Sequence, residues 1–272
     1  MSEMWDSVSG AWEDHAGFVD GHLAEATREM LDAAVIAAGN DVIELACGPG
    51  GAGLAATARV GPSGSVVFAD DAPGMLAAAE HRSAGLENTS TLLCGQEDIP
   101  LADETFDAVI IRHGLMFAAD YVAAVAEALR VLKPGGHFAA MTWGPRLENP
   151  WLALALDAVG DEFGMTFPPE GAPSPFALDD SGQLGEILES AGLVSVGVES
   201  VSAPMTADSV ETWWDVVLQL AGPLAIAYEG MEPEVRESIR QRALEFGDSA
   251  AEITPDGVAM DATVLIASGR RP

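Results

Sequence analysis

Lysine is almost missing from this 272-residue chain: Lys133 is the only one, beside eleven arginines. With 43 acidic residues against 12 basic ones, the formal net charge is -31. Such a chain has no basic stripe with which to neutralise phosphates, so nucleic acid is not an expected partner. Anionic membranes and strongly anionic substrates are disfavoured for the same reason. An acidic, solvated surface of this kind keeps a protein soluble. Cysteine is scarce too. Cys47 and Cys94 alone build no disulfide framework, and no Cys/His grouping has metal-ligand spacing, so no metal and a reduced, cytoplasmic setting are expected. No uncharged apolar run reaches the roughly 18 residues of a membrane span, and MSEMWDSVSG lacks the basic start and apolar core of a secretory signal. Linkers, repeats and charge runs are absent as boundary marks. One domain over 1–272, a monomer or homodimer, is the simplest expectation.

What is present is an alternation. Trp5, Val8, Trp12 and His15 fall three or four apart, as on one helix face, and His22–Ala38 is a second amphipathic stretch stopped by Gly39 and Asn40. Residues 1–38 thus read as lid helices. Strands are expected at Asp41–Ala46, Ser65–Ala69, Thr91–Cys94, Phe106–Ile111 and His137–Trp143, with helices at Ala52–Val60, Gly74–Ala84 and Tyr121–Leu132 between them. Most of these strands are continuous apolar runs, which implies a parallel sheet covered on both faces. After Trp143 the alternation breaks. Residues 144–180, rich in Pro, Phe and Trp, and the mostly helical 205–255 read as cap insertions on the half formed by 39–143. Between and after them, Ser181–Ala191 reads as a helix, and Leu193–Val201 and Ala262–Ser268 as strands.

In an open parallel sheet, ligands bind beyond the carboxyl ends of the strands. The first strand runs from Glu44 into Ala46, Cys47, Gly48, Pro49, Gly50 and Gly51. Glycines there admit a ligand close to the backbone, and the next helix N-terminus can receive a carboxylate or phosphate. Asp70 follows Gly50 by twenty residues, at the end of the second strand, where an acid can accept both hydroxyl protons of a ribose. A dinucleotide fingerprint needs its third glycine inside the helix and usually has no acid within the first strand. Glu44 and Pro49 both depart from it, so a nicotinamide-linked oxidoreductase is disfavoured.

The string VIELACGPGGAG, Val42–Gly53, resembles the first motif of the class I S-adenosylmethionine-dependent methyltransferases, with Ala46 in place of its first glycine. VVFADDAPGML, LLCGQEDIPLADETFDAVI and RVLKPGGHFAAMTWG resemble later motifs of that family in order. WDSVSGAWEDHAGF is similar to the lid of its ubiquinone/menaquinone-type subgroup. The resemblance spans about Trp5–Trp151. It implies a Rossmann-like, seven-stranded, mostly parallel sheet with helices on both faces, lid helices, a helical cap and an antiparallel last strand. It further implies S-adenosylmethionine held by Glu44, the loop Ala46, Cys47, Gly48 and Gly50, and Asp70 with Asp71. Met75 is expected near the adenine. Many relatives carry Asp-Ala where this chain has Gly95 and Gln96, which leaves the adenine amino group to Gln96 or Glu97. Arg112 is placed at the cofactor's amino-acid end, mainly through its backbone, with a guanidinium that offsets acidic neighbours as the other reading.

The reaction so implied is methyl transfer to a small acceptor on oxygen or carbon. The alternative is a cofactor-binding protein on the same scaffold that catalyses something else. His113, after the fourth strand, is the candidate base or acceptor-orienting residue; a histidine that merely packs there fits the sequence equally. His15, Met116, Trp143, Trp151, Phe176 and Trp213 are candidates to line an acceptor pocket; the other reading is a solvent-exposed lid position for His15 and plain core packing for the rest. Together with the paucity of basic residues they point to a neutral or apolar small molecule.

Overall fold

A computed structural model describes residues 2–272, Pro223 through its backbone alone. At its centre lies β1 (Asp41–Leu45), flanked in parallel by β2 (Ser65–Asp70) and β4 (Phe106–Arg112). With β3 (Thr89–Leu93), β5 (Leu132–Trp143), β6 (Val194–Ser202) and β10 (Thr263–Arg270) they make one seven-stranded sheet in the order β3-β2-β1-β4-β5-β10-β6. β10 alone runs antiparallel to its neighbours. Successive side chains of a strand point to opposite faces. Val42, Ala108, Ile110 and Met141 therefore pack under α4 (Ala24–Ala33) and α5 (Gly51–Val60). Ile43, Val109, Ile111 and Phe138 pack under α7 (Tyr121–Val131) and α9 (Ser181–Ser190). Both faces are dry, which explains why these strands read as unbroken apolar runs. The strand order reverses beside β1, and in open parallel sheets the ligand crevice lies at such a point, above the carboxyl ends.

Three expectations are corrected. The amphipathic stretch expected to reach Ala38 ends at Ala33, because Val35 takes a left-handed φ of 50° and Asn40 Oδ1 accepts the Ala37 N–H at 2.7 Å. The lid is four short helices, α1 (Ser2–Ser7), α2 (Ser9–Asp14), α3 (Ala16–His22) and α4. The fifth strand starts at Leu132 rather than His137: Gly135 N–H donates to Arg271 O and Arg271 N–H to Gly136 O, so the chain's end zips the Lys-Pro-Gly-Gly stretch into the sheet.

The third correction concerns the cap. Helices α8 (Pro150–Phe163), α10 (Val210–Leu220), α11 (Gly222–Glu229) and α12 (Pro233–Ala250) are present, and their apolar faces share a core with Trp151, Trp213, Trp214 and Ile239. The cap also contains a three-stranded antiparallel sheet, β7 (Met205–Ala207), β9 (Gly257–Met260) and β8 (Glu252–Thr254), which a helical cap did not include. Its hairpin turns on Pro255 and Asp256 before Gly257, which has a φ of 132°. Pro-Asp-Gly is a turn signal legible in the sequence.

Candidate functional site

The chain leaves β1 through a run of left-handed residues, Ala46 (φ 48°), Gly48 (52°) and Gly50 (78°), and enters α5 at Gly51. A Cβ on Gly50 would press on Phe68 and Ala79 at 3.0–3.1 Å, so the loop is seated tightly on β2 and α6 (Pro73–Arg82). Ala46 holds a conformation that costs a non-glycine residue about 1–2 kcal/mol. Glu44 lies beneath this loop, fully buried, its Oε2 accepting the Gly53 N–H at 2.7 Å. Burial pushes its carboxyl up to about 7 against the opposing pull of Arg112 and the Gly53 amide. Its part is to fix the start of α5. Cys47 and Cys94 are poor nucleophiles, since burial raises both thiols, Cys94 to about 11.

At the end of β2, one oxygen of Asp70 accepts the Gly48 N–H and the other the Ala72 N–H, both at 2.9 Å. Burial raises its carboxyl to about 6, and the two amide bonds work the other way. A carboxylate has about four lone-pair sites, so these bonds aim Asp70 without exhausting it. Asp71 beside it is exposed, and Met75, in the first turn of α6, is buried.

Beyond β3, Glu97 uses one oxygen to hold the backbone: its Oε1 accepts the Ala119 N–H at 2.7 Å. Gln96 is only half committed. Its Nε2 donates to Gly114 O at 3.1 Å, while its Oε1 is buried with no partner. One residue before Gly114, His113 sits at a φ of 56° with its backbone N–H donated to Met141 O at 2.8 Å. Its ring stacks on Trp143 at 4.3 Å and 23°, and both ring nitrogens are buried without a partner. Burial, aided by the Arg112 charge, drives its pKa down to about 3, so the imidazole is neutral at ordinary pH. Gln96 and His113 hold three of the four unpartnered buried side-chain polar atoms found among the described residues. Buried polar atoms without partners are rare in folded proteins and mark sites built for something else.

Arg112 points away from His113, toward the lid. Its guanidinium donates to Asp20 Oδ1 at 2.7 Å and to Thr27 Oγ1 at 3.1 Å. Arg82 donates to the other oxygen of Asp20 at 2.5 Å and to Pro49 O at 2.7 Å. Asp20 and Arg82 carry no local motif, and only the docking of α3 on the glycine loop brings them here.

The remaining candidates separate. Trp143 packs against both faces of the sheet and against the cap, while Met116 is buried in the core under α7. Trp151 stacks on Phe18 of the lid at 5.9 Å. Phe176 lies under the Arg146 guanidinium at 5.4 Å. Trp213 is enclosed in the cap, its indole N–H given to Trp151 O at 2.7 Å, so it is core. His15 pairs with Gln219 of α10 at 2.8 Å, tying lid to cap. Over the crevice, Trp5 of α1 meets Phe117 edge-on at 5.0 Å and Trp12 at 6.1 Å.

Comparison with known proteins agrees with this geometry. Residues 43–140 match a family model described as a methyltransferase domain. The chain is 30% identical over 195 residues to demethylmenaquinone methyltransferase of Staphylococcus aureus, covering 68% of this chain and 80% of that one. Among solved structures, the YcgJ protein of Bacillus subtilis superposes with a TM-score of 0.60 at 17% identity, over 91% of this chain and 98% of that one. The [4+2]-cyclase SpnF superposes with a TM-score of 0.55 at 16% identity, over 98% and 96%. These two likenesses show the fold. Sheet order, loop and relatives together define an S-adenosylmethionine-dependent methyltransferase of class I. Within that class, the chain belongs to the ubiquinone/menaquinone-type family.

Proposed function

We propose that the enzyme methylates a small, neutral or apolar metabolite on oxygen or carbon, and that the acceptor presents a hydroxyl or enol to His113. The observation that carries this reading is the neutral imidazole stacked on Trp143 with neither nitrogen satisfied. Such a ring offers one donor and one acceptor to a bound polar group. With a pKa near 3 it is too weak a base to take a proton from a hydroxyl at neutral pH, so it orients the acceptor rather than deprotonating it. Trp143 stacks on the ring, Trp151 and Phe18 pair with each other between cap and lid, and an acidic surface repels anionic acceptors. The relative's substrate, demethylmenaquinone, is of this neutral, apolar kind.

In the same reading the cofactor lies across the loop Ala46–Gly50. Asp70 takes the ribose hydroxyls and Gln96 Oε1, a buried acceptor without a partner, the adenine amino group, while Glu97 holds the Ala119 amide through one of its oxygens. Asp71 and Met75 border the adenine, and Glu44 with Cys47 shape the loop from below. The residues fit the group: the glycine loop admits close approach, and an orphan acceptor waits where an amino group needs one. Bound there, S-adenosylmethionine supplies a methyl group already activated by its sulfonium. The protein's work is then to align the acceptor and exclude water.

The test is S-adenosylhomocysteine production with a panel of phenols, quinols and hydroxylated polyketides, beside amines, phosphorylated metabolites and RNA. Turnover confined to neutral hydroxylated compounds is expected. Turnover only with amines, anions or RNA would reject the acceptor class. Binding of S-adenosylmethionine with no homocysteine product from any acceptor would favour a non-methylating reaction.

A further inference from the structure

The lid contributes a carboxylate to a place where the cofactor reading above expects another one. Asp20 of α3 is clasped by two guanidinium groups from different parts of the fold, Arg112 at the end of β4 and Arg82 at the end of α6. Arg112 is only 8% exposed, and the pair holds Asp20's carboxyl below the usual range, although its burial pulls the other way. The carboxylate rests on Gly51, the first residue of α5: a Cβ there would fall on Asp20 Oδ1 and on the Arg112 guanidinium. Only glycine at 51 allows the approach. A helix start with a buried arginine beside it is a seat for an anion.

In the cofactor placement proposed above, with the ribose on Asp70 and the molecule lying over Ala46–Gly50, we take the α-amino-acid tail to extend toward the start of α5, where Gly51 and Arg112 stand. Two carboxylates cannot share one pair of guanidinium groups without repelling each other. A cleft of about 270 Å³, lined by Asp20, Thr27, Gly51, Ala55 and Arg112 among others, adjoins the clasp and gives the side chain room to swing aside.

We propose that Arg82 and Arg112 form the seat for the carboxylate of the cofactor's amino-acid tail, and that Asp20 is a latch filling that seat when the lid is closed. The inference rests on the cofactor placement given under Proposed function. Cofactor entry breaks the Asp20 clasp and frees α3, which carries Phe18 against Trp151 and His22 against Thr206 of the cap. Occupancy of the amino-acid seat is thereby tied to opening of the acceptor side. The latch lowers the apparent affinity for any ligand that carries the carboxylate and leaves ligands without one untouched.

The experiment is calorimetric titration of the full chain with S-adenosylhomocysteine and with 5′-methylthioadenosine, which keeps the nucleoside and thioether but lacks the amino-acid tail. It compares the wild type with Asp20→Asn, Asp20→Ala and Glu13→Gln. The last loosens the lid at a different point, the Glu13–His81 pair. Asp20→Asn should bind S-adenosylhomocysteine about tenfold more tightly, the factor expected if the latch is shut in about nine molecules of ten. Its affinity for 5′-methylthioadenosine should not change, and Glu13→Gln should leave the ratio of the two affinities at its wild-type value. Asp20→Ala serves if the asparagine variant folds poorly, its melting curve being the check. Weaker or unchanged homocysteine binding in the Asp20 variants overturns the latch, as does equal tightening for both ligands. If the wild type binds neither ligand, the cofactor placement itself falls, and the latch with it.

Discussion

Ala46 and Gly114 touch across the mouth of the site, and each makes sense only with the other. Ala46 stands in the left-handed turn after β1, a conformation that favours glycine, and a Cβ on Gly114 would overlap the Ala46 Cβ. Gly114 itself has a φ of -108°, open to any residue, so its need for glycine is steric. Gly114→Ala alone should destabilise the protein by about 2 kcal/mol, in the range of overpacked sites. Ala46→Gly should restore most of that loss, with Ile111 Cγ2 at 3.2 Å as the residual crowding. A double-mutant cycle read by urea denaturation checks this. Additive effects of the two substitutions would contradict it.

Glu44 gives the protein a pH-dependent stability. Its folded pKa of about 7 exceeds its ordinary 4.5, so folding favours the protonated acid. The contribution is complete below about pH 4.5 and is lost as the pH rises through 7. Asp70, raised to about 6 from 3.8, acts with the same sign over a lower window. Glu44→Gln keeps an acceptor for Gly53 and removes the titration. Its stability relative to wild type should climb between pH 4.5 and 8, by at most roughly 3 kcal/mol at about 1.4 kcal/mol per pH unit. Denaturation midpoints across that range are the measurement, and parallel curves would show that Glu44 does not titrate there.

His113→Phe separates the roles of the imidazole. Phenylalanine preserves the stack on Trp143 and deletes two unpartnered buried nitrogens, so the variant should be more stable by about 1 kcal/mol. S-adenosylhomocysteine binding should be unaffected while kcat/KM for the acceptor falls about ten- to a hundredfold. The wild-type rate profile should show no inflection from this residue between pH 5 and 8, because its pKa lies near 3. A basic limb near 6.5 that vanishes in the phenylalanine variant would instead make His113 a titrating base.

Gln96 and Glu97 should divide cleanly in cofactor binding. Gln96→Ala removes the free acceptor and is expected to weaken S-adenosylhomocysteine by about tenfold, one buried hydrogen bond's worth. Glu97→Gln alters the bond to Ala119 and should change affinity by less than about twofold. Asp70→Ala should cost about a hundredfold, since it loses an ionised acceptor for a ribose and the ties to Gly48 and Ala72. Titration calorimetry on the three variants ranks them. A larger loss for Glu97→Gln than for Gln96→Ala would reverse the assignment.

The sequence by itself determined the cofactor half. Continuous apolar strands at regular intervals leave a doubly covered parallel sheet as the economical solution, and the string from Glu44 to Gly51 with Asp70 twenty residues on places a ligand at its switch point. These are local patterns, so one pass along the chain suffices to read them. Tertiary structure alone decided the rest. That Gln96 is left with a buried oxygen lacking a partner, while Glu97 holds the Ala119 amide, depends on Gly114 and Ala119, 18 and 22 residues away. The enclosure of Trp213 depends on the cap closing around it. Asp20 and Arg82 are unremarkable in the sequence, and their clasp with Arg112, across 62 and 92 residues, exists only because α3 docks on the glycine loop. Charges and orphan atoms act through space, at distances that spacing along a chain does not encode.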